Sequence, residues 1–245
     1  MVKRLRFSLR LAALLVALAL AVPLHGLWRV LRLPSPWPRW LLGSVARIVG
    51  ARPRIVGVPR RRDVVFVANH LSWIDIPLLA GATGSAFVAK AELRDVPVVG
   101  WLCTLNRTVF VRRDDRLAVG AQVERLRRAL GAAPVTIFPE GTTGDGVTLL
   151  PFKAALLAAL DPPPSGLVVQ PVRIDYGEAS RDLAWVGDEP GGHHARRILA
   201  RRGTFRATLH FLDPFAPAAV GGRKAIAAEA RARIEAAGDP AAGRV

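Results

Sequence analysis

The chain has 245 residues, 51% of them hydrophobic, and its 35 basic and 19 acidic residues give a formal net charge of +16. This length is enough for one sizeable domain with a full hydrophobic core. A single cysteine, Cys103, excludes a framework of intrachain disulfides and fits a reducing compartment.

The first predicted element is a basic, apolar N-terminal segment. Thirteen lysines and arginines precede the first acidic residue, Asp63, and long apolar runs separate them. Trp28, Trp37 and Trp40 lie near the edges of those runs, which is typical of a membrane interface. Basic residues set among apolar runs favour membrane association over nucleic-acid binding. We therefore expect residues 1–62 to form membrane-anchoring helices that prefer anionic lipids, and we expect no nucleic-acid partner.

The topology of this anchor is open at the level of sequence. Residues 11–24 carry no charge, but they are fewer than the ~20 residues that a membrane span needs. A signal peptide would be cleaved, yet the pattern of Arg and Trp continues well beyond any cleavage site. We favour an uncleaved helical hairpin or two interfacial helices, with residues 1–6 and the main domain on the cytoplasmic side of the membrane. A single crossing would place the domain on the opposite side if Lys3–Arg6 obey the positive-inside rule.

Predicted strands and helices alternate from Asp63 onward. This alternation predicts one α/β domain over residues 63–238, followed by a flexible tail at 239–245. In chain order we expect a strand at 63–69, a helix from 71 to near Gly81, a strand at 85–90, a helical or irregular segment at 92–105, a strand at 107–113, a helix at 115–130, a strand at 133–139, a helix at 152–160, strands at 166–174 and 203–215, and a final helix at 222–237.

The first loop with candidate chemistry reads NHLSWIDIP, at residues 69–77. Ser72 and Asp75 have the spacing of a capping box, which would make this an ordinary helix start. The alternative is a catalytic pair in which Asp75 accepts a hydrogen bond from the ring of His70 and orients it. Positions five apart do not share a face of a straight α-helix. The two side chains can meet only if His70 precedes the helix and the chain turns between them.

Two further loops follow predicted strands. The sequence IFPEGTTGDG, at residues 137–146, has closely spaced glycines whose backbone N–H groups suit an anionic ligand, although it can equally be an ordinary turn. Lys90, Arg112 and Arg113 lie at strand ends, where they can clamp a phosphate or simply be solvated.

The combination of these loops resembles the glycerolipid acyltransferases, the group of 1-acylglycerol-3-phosphate acyltransferases. NHLSWID resembles the family motif N-H-x-x-x-x-D, and KAEL followed by TVFVRR resembles the second block. FPEGT resembles the third block, and VVQPVRI, with Pro171, resembles the fourth. The four blocks occur in the family order over residues 69–174, which makes the resemblance more specific than any one block.

The resemblance implies a mixed central sheet flanked by helices, preceded by a membrane-binding helix pair. It implies that His70 is the general base, that Asp75 orients it, and that a lysolipid hydroxyl attacks an acyl thioester directly. Lysophosphatidic acid is the first expected acceptor, with acyl-CoA or acyl-carrier protein as co-substrate and with neither a cofactor nor a metal. The expected substrate-binding residues are Lys90, Arg113, Glu140, Gly141, Thr142 and Thr143.

The chain departs from the family pattern in places. Thr143 stands where the third block commonly continues with Arg, and Asn106-Arg107 stands where the family often has Gly. FPEGTTGDG followed by LLPFK resembles the branch of lyso-ornithine lipid acyltransferases, which gives an alternative acceptor.

Functions of other classes are also open. A lipid hydrolase or thioesterase could use the same dyad with water, and a non-enzymatic membrane-binding protein would explain residues 1–62 alone. A metal site at His193 and His194 lacks an H-E-x-x-H motif, so we expect a polar surface loop there.

Overall fold

Residues 2–112 and 119–238 are described by the computed structural model. The predicted substrate-binding residue Arg113 and the predicted tail at 239–245 lie outside these residues. In chain order the elements are α1 (Val2–Val30), α2 (Trp37–Ile48), β1 (Ala51–Val56), β2 (Val64–Ala68), α3 (Asp75–Thr83), β3 (Ala86–Lys90), a 3-10 helix (Ala91–Asp95), α4 (Val99–Leu105), β4 (Val109–Val111), α5 (Val119–Ala132), β5 (Val135–Ile137), a 3-10 helix (Ala154–Leu160), β6 (Val168–Asp175), a 3-10 helix (Gly177–Ala179), α6 (Ser180–Leu183), α7 (Gly191–Ala200), β7 (Phe205–Phe211), α8 (Pro217–Val220) and α9 (Gly222–Ala236).

The strands of the described chain form one mixed sheet in the order β1-β7-β6-β2-β5-β3-β4. The pairs among β2, β3, β4, β5 and β6 are parallel, β7 is antiparallel to β6, and β1 is parallel to β7. The predicted mixed α/β sheet is therefore confirmed. Since β2 to β6 run in one direction, the loops that follow them emerge at the same edge of the sheet.

Strand β1 comes from the segment that the sequence analysis assigned to anchoring helices. Ala51 is in register with Phe205 of β7, so the sheet begins before residue 63. Five of the six residues of β1 are exposed, and the strand contains Arg52, Pro53 and Arg54. Such a polar, proline-containing strand is tolerated at a sheet edge, and its lack of an apolar run hides it from pattern analysis.

Hydrophobic clusters cover both faces of the sheet. One cluster joins the sheet to α2, α3 and α7, and the other joins it to α5, α9 and the helix Ala154–Leu160. All of β2 is buried, which explains its continuous apolar sequence and is typical of the centre of a parallel sheet. The loop that follows β2 therefore begins at a fully buried strand in the middle of the sheet.

The predicted N-terminal helix pair is present as α1 and α2, which pack together through Ala17, Ala21 and Leu41. Helix α1 is long and apolar enough to cross a membrane, by length and composition. Many of its large apolar side chains are exposed, as are others just beyond it: Leu5, Leu9, Leu15, Val16, Leu20, Leu27, Val30, Leu31 and Leu33. These helices are consistent with membrane association.

Arg10 fastens α1 to the α/β domain. Its Nη1 donates hydrogen bonds to the carbonyl oxygens of Ile198, Leu199 and Arg201 at 3.0, 3.2 and 3.0 Å. Its Nη2 donates to the carbonyl oxygen of Gly203 at 3.1 Å. A cation at the C-terminal end of α7 is favourable because unpaired carbonyls concentrate there. The first third of α1 therefore lies along the domain.

The contact between α2 and α3 depends on two glycines, and Gly81→Ala is expected to disrupt it. A Cβ atom at Gly81 would lie 2.6 Å from Cα of Gly43, a backbone atom that cannot move aside cheaply. We expect a loss of about 1–3 kcal/mol in the free energy of unfolding, measured by denaturant titration in detergent. Gly26→Ala in α1 is the control, because nothing lies within 4 Å of its Cβ position. Equal stability of the two variants would contradict this expectation.

Candidate active site

His70 follows β2 in a loop that is tied to the neighbouring strand β6. The side-chain amide of Asn69 donates to the carbonyl oxygen of Ile174 at 3.0 Å. Its oxygen Oδ1 accepts a hydrogen bond from the backbone N–H of Ile174 at 2.7 Å. This pair of hydrogen bonds replaces ladder contacts at the end of β2, so Asn69 fixes where the loop begins. The Asn of the NHLSWID motif therefore has a structural reason for its position before the histidine.

The side chains of His70 and Asp75 are in contact. Nδ1 of His70 lies 2.7 Å from Oδ2 of Asp75. The same oxygen accepts backbone hydrogen bonds from Leu71 at 2.6 Å and from Ser72 at 2.9 Å. Helix α3 begins only at Asp75, so residues 71–74 form the turn that brings the carboxylate back to the ring. The contact that the dyad requires is present.

One of the two hydrogen bonds of a capping box between Ser72 and Asp75 is present. Asp75 accepts from the backbone N–H of Ser72, as the acidic member of a capping box does. The hydroxyl of Ser72 is buried without a hydrogen-bond partner in the described chain, so the reciprocal contact is missing. Asp75 thus serves the helix start and the histidine together.

A tyrosine that the sequence analysis did not identify completes the environment of Asp75. The hydroxyl of Tyr176 donates to Oδ1 of Asp75, and both side chains are buried. Tyr176 directly follows β6, so it emerges at the same sheet edge as His70. Only the pairing of β2 with β6 brings these distant positions together.

The ring of His70 is held against an aromatic surface. It stacks on Phe138, with ring centroids 4.0 Å apart and an interplanar angle of 13°. Nδ1 is directed at Asp75, whereas Nε2 makes no hydrogen bond within residues 2–112 and 119–238. The His70 side chain is 16% exposed. An imidazole oriented through Nδ1 and open at Nε2 can accept a proton from a bound hydroxyl.

Glu140 supports the dyad loop from the end of β5. Its Oε1 accepts a hydrogen bond from the backbone N–H of His70 at 2.7 Å, and its Oε2 accepts from that of Leu150 at 3.1 Å. Both carboxylate oxygens therefore have backbone partners. Burial raises the pKa of Glu140 to about 7, although these two hydrogen bonds oppose the shift. The predicted contact of Glu140 with substrate stays a prediction.

The raised pKa of Glu140 predicts a specific pH dependence of stability. In the folded protein Glu140 keeps its proton up to about pH 7, whereas a glutamate in the unfolded chain loses its proton near pH 4.5. Glu140 therefore destabilises the fold increasingly as the pH rises from 4.5 to 7, by up to about 3 kcal/mol. In Glu140→Gln this loss is absent, so its free energy of unfolding should rise relative to the wild type across that window. Denaturant titrations at several pH values measure the difference, and a constant difference would contradict the assignment.

The glycine-rich loop packs against His70 and against a second loop that contains Trp185. The backbone N–H of Gly144 donates to the carbonyl oxygen of His70 at 2.8 Å. The hydroxyl of Thr143 donates to the carbonyl oxygen of Trp185. The backbone N–H of Trp185 in turn donates to the carbonyl oxygen of Leu71 at 2.9 Å. Thr143 therefore joins three loops, and its hydroxyl already has a partner. The role of Trp185 had no signal in the sequence patterns.

The remaining predicted substrate-binding residues differ in position. Gly141 is buried and has a φ of +73°, a conformation that favours glycine, and Thr142 beside it is exposed. Lys90 is exposed at the end of β3, and no hydrogen bond joins it to the dyad in the part of the chain described. Contacts of these residues with substrate stay predictions.

The surface loop expected at His193 and His194 is instead the first turn of α7. His193 is exposed, but His194 is buried, stacks on Trp185 and lies with Nε2 3.1 Å from the carbonyl oxygen of Leu183. Two glycines at the helix start concealed α7 from the pattern analysis. Within residues 2–112 and 119–238, no three His, Cys, Asp or Glu side chains are grouped as metal ligands.

Comparison with known proteins gives consistent matches. A family model described as Acyltransferase matches residues 53–175. The lyso-ornithine lipid O-acyltransferase of Rhodobacter capsulatus is 33% identical over 94% of this chain and 88% of its own length. That of Brucella abortus is 35% identical over 96% of this chain and 95% of its own. A 1-acyl-sn-glycerol-3-phosphate acyltransferase of Neisseria gonorrhoeae is 39% identical over 46% of this chain and 44% of its own.

A solved structure matches the whole fold. The crystal structure of the 1-acyl-sn-glycerophosphate acyltransferase PlsC of Thermotoga maritima superposes with a TM-score of 0.70 at 24% sequence identity. The match covers 100% of this chain and 99% of that one, so it includes α1 and α2 as well as the sheet.

Proposed function

The chain belongs to the acyltransferase family of enzymes, and on that premise we propose that it transfers a fatty acyl chain from a thioester to a hydroxyl of a lysolipid. The observation that carries the proposal is the His70–Asp75 pair at the carboxyl-terminal edge of the sheet, with Nε2 of His70 open. The group that this nitrogen can activate is a weakly acidic hydroxyl.

In the proposed reaction, Nε2 of His70 removes the proton from the acceptor hydroxyl while its oxygen attacks the thioester carbonyl carbon. A carbon–oxygen bond forms, and the tetrahedral intermediate then breaks its carbon–sulfur bond. The departing thiolate takes up the proton from the imidazolium, which returns His70 to its starting state. Asp75 holds Nδ1–H throughout and stabilises the imidazolium, because its carboxylate is fixed by the backbone of the turn.

For the acceptor, we place lyso-ornithine lipid ahead of lysophosphatidic acid, the reverse of the order expected from sequence. Lyso-ornithine lipid O-acyltransferases are 33% and 35% identical over most of this chain, whereas the 1-acyl-sn-glycerol-3-phosphate acyltransferase of Neisseria gonorrhoeae aligns in sequence over 46% of it. The full-length match to PlsC is at 24% identity and supports the fold without favouring an acceptor. The hydroxyl of Thr143 is engaged by Trp185 at a position where a phosphate-binding arginine was expected. The loop 140–146 carries no cation, and its exposed acidic residue, Asp145, suits an ammonium-bearing head better than a phosphate.

We further propose that α1 and α2 lie in the surface of the bacterial inner membrane, with the domain on the cytoplasmic side. Arg10 keeps α1 along the domain, which supports two interfacial helices over a crossing that leaves the domain. Thirteen basic residues before Asp63 would attract anionic lipid heads by about 1 kcal/mol for each residue near the surface. The acyl donor is acyl-CoA or acyl-carrier protein, and no cofactor is required.

An acceptor panel tests the proposal. Purified protein in anionic vesicles receives acyl-CoA or acyl-carrier protein together with lyso-ornithine lipid or lysophosphatidic acid, and mass spectrometry identifies the products. We expect the diacylated lipid, with the higher kcat/KM for lyso-ornithine lipid. Free fatty acid without diacylated lipid would instead identify a hydrolase, and binding to vesicles without donor consumption would identify a non-enzymatic membrane protein.

A further inference from the structure

Asp75 is fully buried, and its two oxygens have different partners. Oδ2 accepts hydrogen bonds from the ring of His70 and from the backbone of Leu71 and Ser72. Oδ1 accepts from the hydroxyl of Tyr176, which is its one hydrogen-bond partner within the described residues. A buried carboxylate oxygen without a donor is costly, so Tyr176 satisfies the remaining acceptor of this group.

The position of the Tyr176 hydroxyl is determined from several sides. Tyr176 directly follows β6, and β6 is clamped to the start of the dyad loop through Asn69 and Ile174. Tyr176 is 2% exposed, and its ring packs edge-on against Phe205, with ring centroids 5.7 Å apart. The hydroxyl therefore reaches Asp75 from a rigid strand end, on the side of the carboxylate away from the turn 71–74.

The direction of this hydrogen bond is fixed. An ionised carboxylate only accepts, so the phenol must donate. Burial, reinforced by the charge and the hydrogen bond of Asp75, raises the pKa of Tyr176 well above its ordinary value. Tyr176 therefore stays protonated at neutral pH and donates to Asp75.

We propose that Tyr176 is a positioning residue for acyl transfer: its hydroxyl holds the Asp75 carboxylate in its orientation, so that Oδ2 stays on Nδ1 of His70. This inference rests on the proposed function of the dyad. Without the hydroxyl, Oδ1 has no donor and Asp75 can rotate about its Cβ–Cγ bond, which leaves the imidazole less well oriented for accepting a proton at Nε2. Tyr176 is buried behind Asp75, so it acts through Asp75 and not on the substrate.

Tyr176→Phe tests the inference because it removes one oxygen atom and leaves the ring. We expect kcat per folded enzyme to fall by about tenfold or more, with KM for the acceptor unchanged. Phe205→Leu is the matched control, because it loosens the packing of the same ring and leaves the hydroxyl in place. Thermal unfolding of both variants corrects the rates for the folded fraction.

The kinetic outcomes are distinct. Wild-type kcat in Tyr176→Phe would overturn the inference, and so would an equal loss of kcat in Phe205→Leu, which would indicate packing alone. A rise in KM with unchanged kcat would also overturn it, since it would indicate a contact with substrate. Activity that survives His70→Ala would instead defeat the proposed function on which the inference rests.

A spectroscopic measurement keeps the test independent of turnover. Tyr176 is the single tyrosine of the chain, so biosynthetic incorporation of 3-fluorotyrosine gives one ¹⁹F resonance. We expect this resonance to shift in Asp75→Asn and to be unchanged in Thr143→Val, whose hydroxyl bonds Trp185 instead. A resonance that is insensitive to Asp75→Asn, or that titrates like the free fluorinated amino acid, would show that the hydroxyl does not hold Asp75.

Discussion

Replacing His70 with alanine is expected to lower kcat by about a thousandfold or more, because it removes the proposed general base for the acceptor hydroxyl. The acceptor should still bind, since the imidazole contributes a proton-accepting nitrogen and not a binding pocket. Residual turnover would come from the proximity of donor and acceptor alone. The rate is measured with saturating donor and acceptor in vesicles, by mass spectrometry of the diacylated product.

His193→Ala is the control for this variant, because it removes an exposed imidazole on α7. Circular dichroism and vesicle flotation of both variants should match those of the wild type. His70 also stacks on Phe138, so thermal unfolding of His70→Ala is measured to exclude a loss of fold. Undiminished activity in folded, membrane-bound His70→Ala would reject the proposed mechanism.

Asp75→Asn is the second variant with a large expected effect. Three N–H groups converge on Oδ2 of Asp75, so an amide whose NH₂ group points at them would repel all three. With its carbonyl oxygen there instead, the amide is accommodated but no longer carries the charge that stabilises an imidazolium. We expect kcat to fall by about a hundredfold to ten-thousandfold, where the upper figure is the loss seen when the orienting aspartate of a Ser-His-Asp triad becomes asparagine.

Measurement of kcat across the pH range distinguishes loss of charge from loss of structure. Glu124→Gln is the control, because it removes a carboxylate from the exposed pair that Glu124 forms with Arg127 on α5. Denaturant titration should show a lower stability for Asp75→Asn than for this control, since only Asp75 is buried. A kcat within a factor of about two of the wild type would contradict the role of Asp75 as the group that orients His70.

The parts of the fold that could be predicted are those in which local pattern and burial agree. The apolar runs that became β2 and β6 are buried in the sheet centre, where hydrophobicity alone determines their place. The spacing of His70 and Asp75 could be interpreted because a turn of four residues is a local event. Strand β1 escaped detection because an edge strand does not need an apolar face.

The missing parts of the candidate site are those that depend on long-range pairing. Tyr176 and Trp185 lie about a hundred residues from the dyad loop in sequence, and only the juxtaposition of loops at one sheet edge brings them to Asp75 and Leu71. Glu140 was predicted to bind substrate, which stays a prediction, and its two backbone hydrogen bonds could be found only from the positions of His70 and Leu150 in the fold.

The close approach of Gly43 to Gly81 has a consequence for the choice of lipid. Gly81 lies six residues after Asp75 on α3, which is about 9 Å along the helix axis. The backbones of α2 and α3 approach closely at these two glycines, so the two helices cannot shift easily relative to each other. If α2 lies in the membrane surface as proposed, this contact fixes the distance between the bilayer surface and the dyad. The acceptor hydroxyl must then lie at that distance from the bilayer surface in order to reach Nε2 of His70. The enzyme would then select lysolipids by the depth of their hydroxyl in the leaflet as well as by the chemistry of their heads.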